Sequence, residues 1–372
     1  MGFAELVHAV QVEHLARLYQ QYKDIAALGV VRKAFHDAIR KGGLQVLQSS
    51  DDAKVVVPEL VRFLTSMQEV LKVAFLGDCS LAIALKEAFE GFLNSAAPNQ
   101  AAKLLARYVD VLLRGDMGSS TAMVPSQVSV AQMSQSFDFT PSEREGNRDL
   151  EVHIRQALQI FRYLAAKDAF EAFFKKDLAR RLLLQRSCRE MEHFATTLLR
   201  EECGGAYTAG IEGMFQDMEI SKALAEVFES KPEAKEILED AGFDFQISVL
   251  TTGRWPSPPS SPELRLPAVL QRLGTTFESF YLQQHRGRSL RWCPAWGQCL
   301  LRANYCGGRK ELVVSHFQAL ALLCFNTSDH LSYDQLQERT QIPSAELQLT
   351  LQSLSLHKTV KFLLHRGGKL NQ

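Results

Sequence analysis

The strongest constraint on the fold is the spacing of apolar residues through the first 115 positions. In VEHLARLYQQY the apolar side chains fall at Val12, Leu15, Leu18, Tyr19 and Tyr22, a three-four alternation that lines one face of a helix. VVRKAFHDAIRK repeats it with Val31, Ala34, Phe35, Ala38 and Ile39. VPELVRFLTSMQEVLKVAF continues it, with Pro58 placed for a first turn, where its missing N–H costs nothing. LAIALKEAFEGFLN and AAKLLARYVDVLLRG follow, the second stopped by Gly115. Five helices on short loops predict a bundle over 1–115. Phe is abundant, 22 in 372 residues, which suits thick helical cores.

Residues 116–148 lose the helical period and are rich in Ser, Gln, Gly and Met, which predicts a flexible linker or insertion. Helices resume at 149 and run through DLEVHIRQALQIFRYLAAKDAFEAFFKKDLARRLLL, EMEHFATTLLREECGG and AGIEGMFQDMEISKALAEVFES, a second bundle over 149–240. The period then drops to two. Phe243, Phe245, Ile247 and Val249 alternate, which predicts a strand. A Pro- and Ser-rich loop with Pro258, Pro259 and Pro262 follows, then a helix in VLQRLGTTFESFYLQQH. GRSLRWCPAW and QCLLRANY, joined around Gly297, read as a hairpin. The expected class is therefore mainly α with a smaller α/β part at 241–310.

From 311 the pattern reads helix, helix, helix, then a wing, beginning with a first helix in ELVVSHFQALALLCFN. Ser332 with Gln335 forms a capping box for the second helix, and Pro343-Ser344 opens the third. Winged helices that read DNA place basic and amide side chains on the third helix. Here SAELQLTLQSL carries Glu346 and two Gln but no Lys or Arg. Protein docking or an architectural role fits this helix better than nucleic-acid binding, and Lys plus Arg equals Asp plus Glu at 42 each, without the basic excess of a dedicated nucleic-acid binder.

Catalytic and metal signatures are sparse. The P-loop, GxSxG and HExxH patterns are absent from the sequence. His193 with Cys203, or His285 with Cys293, could form a thiol–base pair, but no third residue is placed to orient either. Cys293, Cys299, Cys306 and His285 fit no common zinc spacing, so no metal or cofactor is assigned. Seven cysteines without a CxxC pair predict a reducing compartment and mostly buried thiols. MGFAELVHAV has no basic region before a long apolar run, position 6 is Leu6 where myristoylation needs Ser or Thr, and no apolar run reaches 18 residues. The expectation is an intracellular protein, cytoplasmic or nuclear, without a membrane partner.

On a helix, FEAFFKKDLARRLLLQ (170–185) places Phe170, Phe173, Phe174, Leu178 and Leu184 on one side. Lys175, Lys176 and Arg180 fall on the flanks or back. Asp177 and Arg181, four apart, fall inside the apolar side and can pair. A membrane helix would not carry Asp177 there. The basic face is either plainly solvated or a dock for an acidic protein segment.

FRYLAAKDAFEAFFKKDLARRLLLQRS resembles the cullin family. The resemblance continues through LLREECGGAYTAGIEGMFQDMEISK, LTTGRWP, FYLQQHRGRSLRW, ELVVSHFQALALLCFN and IPSAELQLTLQSL, and upstream through LARLYQQY, ALKEAFEGFLN and LLARYVDVLLRG. It covers nearly all of the chain except 116–148, and FEAFFKKDLARRLL with GMFQDMEISK looks most like the cullin-4 type, whose adaptor is the damaged-DNA-binding β-propeller protein. The resemblance implies a non-catalytic scaffold of a ubiquitin ligase: 1–115 as the last helical repeat, 241–310 as the α/β region that binds a zinc RING-box subunit, and 311–372 as the first winged helix. The RING-box subunit adds a strand to the cullin sheet and recruits the ubiquitin-charged E2, so catalysis is by proximity. Phe245, Ile247, Val249 and Trp255 are the implied RING-binding residues. Lys175, Lys176, Arg180 and Arg181 are the implied basic patch for an acidic E2 tail. The resemblance also places the adaptor-binding repeats and the winged helix bearing the NEDD8-accepting lysine outside this sequence. Lys358, Lys361 and Lys369 do not match the modification motif, so no acceptor is assigned. A truncated cullin, a short cullin-like decoy that binds the RING-box subunit without an adaptor, a decayed protein with neither activity, and a winged-helix nucleic-acid protein are the readings the sequence leaves open.

Overall fold

The computed structural model describes residues 3–95, 97, 99–115, 141–256, 264–305, 308–356 and 362–364. The chain divides into two units, 1–213 and 214–372, and the division falls inside one long helix.

The first unit is helical. Its elements are α1 (Phe3–His8), α2 (Val12–Asp24), α3 (Leu28–Gln48), α4 (Ala53–Glu69) with a π turn at Val70–Ala74, α5 (Cys79–Ser95), α6 (Gln100–Leu113), α7 (Pro141–Phe161), α8 (Lys167–Leu183) and α9 (Arg189–Cys203). The predicted apolar faces are the buried ones: Leu15, Tyr19, Val31, Phe35, Ala38 and Ile39 all lie in the core. Rings lock the layers together, with Phe35 edge-on to Phe75 at 5.2 Å and Phe161 against Phe170 at 4.9 Å. Gly43 sits in the middle of α3 because a Cβ there would lie 2.3 Å from the Phe92 ring of α5. The glycine costs helix propensity, about 1 kcal/mol, and in return admits a whole aromatic ring into the core.

Two expectations are corrected here. Pro58 is not in a first turn. The helix starts at Ala53, capped by Asp52, whose carboxylate accepts the Lys54 N–H at 2.9 Å. The side-chain cap moves the start one turn upstream and leaves the proline inside the helix. Helix α7 starts at Pro141, inside the stretch expected to be a linker to 148, with the proline at a position that needs no donor. The remainder of that stretch, 116–140, lies outside the described residues.

Helix α10 (Gly205–Glu229) follows directly on Gly204, whose φ of 84° stops α9. The second unit then carries α11 (Pro232–Ala241), α12 (Ala268–Gln284), a 3-10 turn at Pro294–Trp296, β1 (Gln298–Tyr305), β2 (Gly308–Ser315), α13 (His316–Cys324), α14 (Tyr333–Thr340) and α15 (Ser344–Ser355). The hairpin is β1 with β2, in register from Gln298↔Ser315 to Tyr305↔Gly308, and not the predicted pair about Gly297. Residues 288–293 join no ladder among the described residues, and Pro294 opens a 3-10 turn immediately before β1. The residues read as the start of a helix at 311 are strand β2. The helix begins at His316, behind a capping box in which Ser315 accepts the Gln318 N–H and Gln318 accepts the Ser315 N–H. The predicted Ser332–Gln335 box is present. Helices α13 to α15 pack around Phe317, Leu320, Leu336, Ile342 and Leu347. Of the predicted wing, 357–361 and 365–372, with Lys358, Lys361 and Lys369, lie outside the described residues, as do Cys306 and the loop prolines Pro258, Pro259 and Pro262.

Among the described residues the thiols are not buried, against the expectation. Cys79 is exposed and Cys188, Cys203, Cys293, Cys299 and Cys324 are half-buried.

Candidate functional site

The strand predicted from Phe243, Phe245, Ile247 and Val249 does not form: Phe243 is exposed at a bend, Asp244–Leu250 carries no helix, turn or bend, and among the described residues the sheet consists of β1 and β2 alone. Burial along Asp244–Leu250 alternates. Phe245, Ile247 and Val249 are half-buried while Asp244, Gln246 and Ser248 are exposed. Ile247 and Val249 pack on an aromatic core of Phe228, Phe277, Phe280 and Tyr281, drawn from α10 and α12. Phe228 meets Phe277 edge-on at 5.2 Å and Phe280 at 5.5 Å. Leu290, from the second unladdered stretch at 288–293, packs on the same core.

Two side chains of α10, one helical turn apart, hold the segment. Ser221 Oγ accepts the Val249 N–H at 2.7 Å and lies 3.1 Å from the Val249 carbonyl and 2.7 Å from the Asp217 carbonyl. Asp217 is only 3% exposed and takes four donors. Thr251 N–H and Trp255 Nε1 reach Oδ2, each at 2.8 Å, while Thr251 Oγ1 (2.9 Å) and Arg254 Nη1 (3.0 Å) reach Oδ1. A buried carboxylate with two donors on each oxygen is fully satisfied, which makes its ionised form tolerable in the interior. Trp255 is 7% exposed and its ring meets Trp296 at 6.2 Å. Ile247, Val249 and Trp255 thus spend their side chains on this chain's own core. Asp217 and Ser221 were missed by sequence reasoning. The available signal was a D-x-x-x-S spacing inside GMFQDMEISK, on the helix preceding a period-two stretch.

The basic helix α8 buries Phe170, Phe174 and Leu178 as its spacing predicts. Lys176 and Arg180 are exposed. Lys175 is half-buried, ion-paired with Glu171 one turn earlier, and its Nζ fills the space left by Gly210. Arg181 departs from the expected patch. It is 1% exposed, bonded to Asp110 of α6 and to Glu192 of α9, the latter with Nη2–Oε2 at 3.0 Å, and stacked over the Phe174 ring. Burial works against its charge, but the two carboxylates more than offset that and raise its pKa. The predicted Asp177–Arg181 pair is replaced by this clamp because both clamp carboxylates offer better-placed oxygens inside the core. Arg114 adds a 2.8 Å bond to the far oxygen of Asp110. Burial, then the nearby Asp110 charge, raise the Asp177 carboxyl pKa above its ordinary value.

Burial raises the Cys203 thiol pKa, although Lys167 opposes the shift, and the His285 ring lies against Tyr281 at 4.5 Å. Among the described residues, no group of three or more His, Cys, Asp or Glu could hold a metal ion. Among them also, no helix is long and apolar enough to cross a membrane. The outward positions of α15 include Gln348, Leu349 and Ser353, all uncharged.

Residues 1–225 match the cullin alpha solenoid domain and residues 249–371 the cullin alpha+beta domain, so the chain belongs to the cullin family. It is 32% identical to Cullin-4A of Homo sapiens over 371 residues, covering 99% of this chain and 45% of that protein. It is 31% identical to Cullin-4 of Dictyostelium discoideum, covering 96% and 41%, and 32% identical to Cullin-3A of Arabidopsis thaliana, covering 96% and 45%. The chain thus spans less than half the length of these relatives.

Proposed function

We propose that the chain is a scaffold that holds a zinc RING-box subunit by strand addition, and through it a ubiquitin-charged E2. One observation carries this: Asp244–Leu250 has the alternating burial of a strand, with Ile247 and Val249 packed on an aromatic core, and no ladder partner among the described residues. A strand from another protein supplies what is missing, with main-chain hydrogen bonds for affinity. Phe245, Ile247, Val249 and Trp255 support the docking segment from beneath, and its main chain makes the contact. The chain supplies no reacting group; the ligase works by raising the effective concentration of E2 and substrate around one another. On this reading 1–115 is a helical repeat, 149–240 a helical bundle, 241–310 the docking region and 311–372 a winged helix.

Lys176 and Arg180, with Lys175 at their edge, form the basic face for an acidic E2 segment. Arg181 supports that face from the core and does not meet the partner.

The test is co-expression with a zinc RING-box subunit, followed by an E2-dependent assay for free ubiquitin chains. Co-purification with chain formation is the expected result. Co-purification without chains would make the protein a decoy that sequesters the RING-box subunit. A chain that folds but fails to co-purify would overturn the proposal.

A further inference from the structure

The hydrogen bonds on Asp244–Leu250 all fall on one edge. In an extended strand the main-chain N–H and C=O of one residue point to one edge and those of the next residue to the other. The groups tied down are the N–H and C=O of Val249 on Ser221 and the N–H of Thr251 on Asp217. Both are odd-numbered, so the edge they share faces α10. The even-numbered residues present the other edge, and among the described residues the main chains of Gln246, Ser248 and Leu250 have no hydrogen-bond partner, while on the first edge Val249 and Thr251 are held and Phe245 and Ile247 are not. Their edge is therefore the open one. A helix has taken the place of a neighbouring strand on one side only, using a serine and an aspartate at i and i+4 as stand-ins for ladder groups.

We infer that Asp217 and Ser221 are positioning residues that fix the register of a docking strand, and that the incoming strand pairs with the main chain of Gln246, Ser248 and Leu250. This rests on the strand-addition reading above and goes further, since that reading leaves the edge and the register open. The side chains of Gln246 and Ser248 are exposed and carry no role in the pairing. The occupant is an extended segment of the RING-box subunit. It recognises the slot by its own main chain, and its side chains lie over the core shared by Ile247, Val249 and Leu290.

The experiment is residue-resolved amide hydrogen exchange on the full chain, alone and bound to a purified zinc RING-box subunit. In the free chain, Val249 and Thr251 are expected to be protected and Gln246, Ser248 and Leu250 to exchange freely. On binding, protection is expected to appear at Gln246, Ser248 and Leu250. New protection at Phe245 and Ile247 instead would overturn the register while leaving strand addition standing. No binding by a chain that shows the free-state pattern would overturn the strand-addition reading itself. Protection of the even residues that grows with the concentration of the chain alone would assign the edge to a second copy and overturn the proposed occupant.

Substitutions separate positioning from folding. Ser248→Pro removes an outward donor and is expected to weaken RING-box affinity about tenfold or more, while Ser248→Ala leaves it unchanged. Ser221→Ala is expected to release the Val249 amide and to weaken affinity about tenfold. Loss of Val249 protection with unchanged affinity would show that Ser221 is structural only.

Discussion

Two buried carboxylate centres, one in each unit, look alike at first and do different work. Around Arg181 the carboxylates of Asp110 and Glu192 close on a guanidinium that is 1% exposed, and Arg114 covers the remaining oxygen of Asp110. Every strong group is answered within the chain, so the clamp ties α6, α8 and α9 together and offers a partner nothing. Around Asp217 the carboxylate is equally well answered, but the segment it helps to hold is tied down at Val249 and Thr251 only. A closed polar network specifies a fold. A network that orders an incomplete element leaves main chain open to a partner, which is the basis of the proposed docking site. Burial alone does not separate the two cases. What separates them is whether unpaired main chain remains after the side chains have been satisfied.

The sharpest way to break the comparison is Arg181→Met. Removing the cation leaves the buried Glu192 carboxylate uncompensated and Asp110 with Arg114 alone, and a loss of about 3–5 kcal/mol is expected in urea unfolding. Exchanging the clamp as a whole, with Asp110→Leu and Glu192→Met added, is expected to recover most of that loss, because an apolar set of similar volume removes the desolvation cost together with the attraction. A single variant as stable as the parent would mean that the clamp is not closed in solution.

Asp217→Ala ranks next. It strands the Trp255 indole N–H and the Thr251 N–H in a site the carboxylate had filled, so about 2–3 kcal/mol of stability is expected to be lost. Unlike Arg181→Met, it is also expected to abolish co-purification of the RING-box subunit even under conditions where the chain stays folded by circular dichroism. Retained co-purification would place Asp217 with the Arg181 clamp, as structure only.

Sequence periodicity carried most of the helical fold, because Leu15, Tyr19, Phe35, Phe170, Phe174 and Leu178 repeat at intervals that only one face of a helix can bury. It also marked out the segment proposed here for docking, since Phe245, Ile247 and Val249 alternate in burial as a half-buried strand does. The clamp was not legible. Arg181 finds Asp110 71 residues away, and the local rule of four favoured Asp177 instead. Nor was β2, because ELVVS is short enough to be absorbed into the helix that follows unless the Ser315–Gln318 box is noticed. Asp217 and Ser221 stood inside a motif quoted for its family resemblance. Their role appears only when the strand 28 to 34 residues later is laid beside α10.

The two units are also expected to differ in the sign of their pH response. Asp177 has its carboxyl pKa raised in the folded chain, first by burial and then by Asp110. The folded state then holds its proton more tightly than the unfolded state, so stability falls as pH rises from the ordinary value near 3.8 through the folded pKa. His316, at the start of α13, has its pKa lowered by burial, and its Nε2 has no hydrogen-bond partner among the described residues. Here the unfolded state binds the proton more readily, so stability falls as pH drops below about 6.5 toward the folded pKa. Asp177→Asn is expected to flatten the acid limb of a stability–pH curve, and His316→Gln the limb just below neutrality. Curves that both variants leave unchanged would show that neither group titrates differently on unfolding.

The smallest effect on stability, and the cleanest test of function in the first unit, is the pair Lys176→Glu and Arg180→Glu. Both side chains are exposed on the far side of α8 from Phe170 and Phe174, so the combined change in unfolding free energy is expected to stay within about 1 kcal/mol. RING-box binding should be untouched, because the docking strand lies in the other unit. E2-dependent chain formation is expected to fall by about tenfold at low salt, and the deficit against the parent to shrink as salt screens the exposed charges. Lys175→Glu is a weaker probe, since Lys175 is already engaged by Glu171 and fills the space beside Gly210. If chain formation by the double variant matches the parent at every salt concentration, the exposed face of α8 is solvated and nothing more, and the docking function of the chain belongs to the strand held by Asp217 and Ser221 alone.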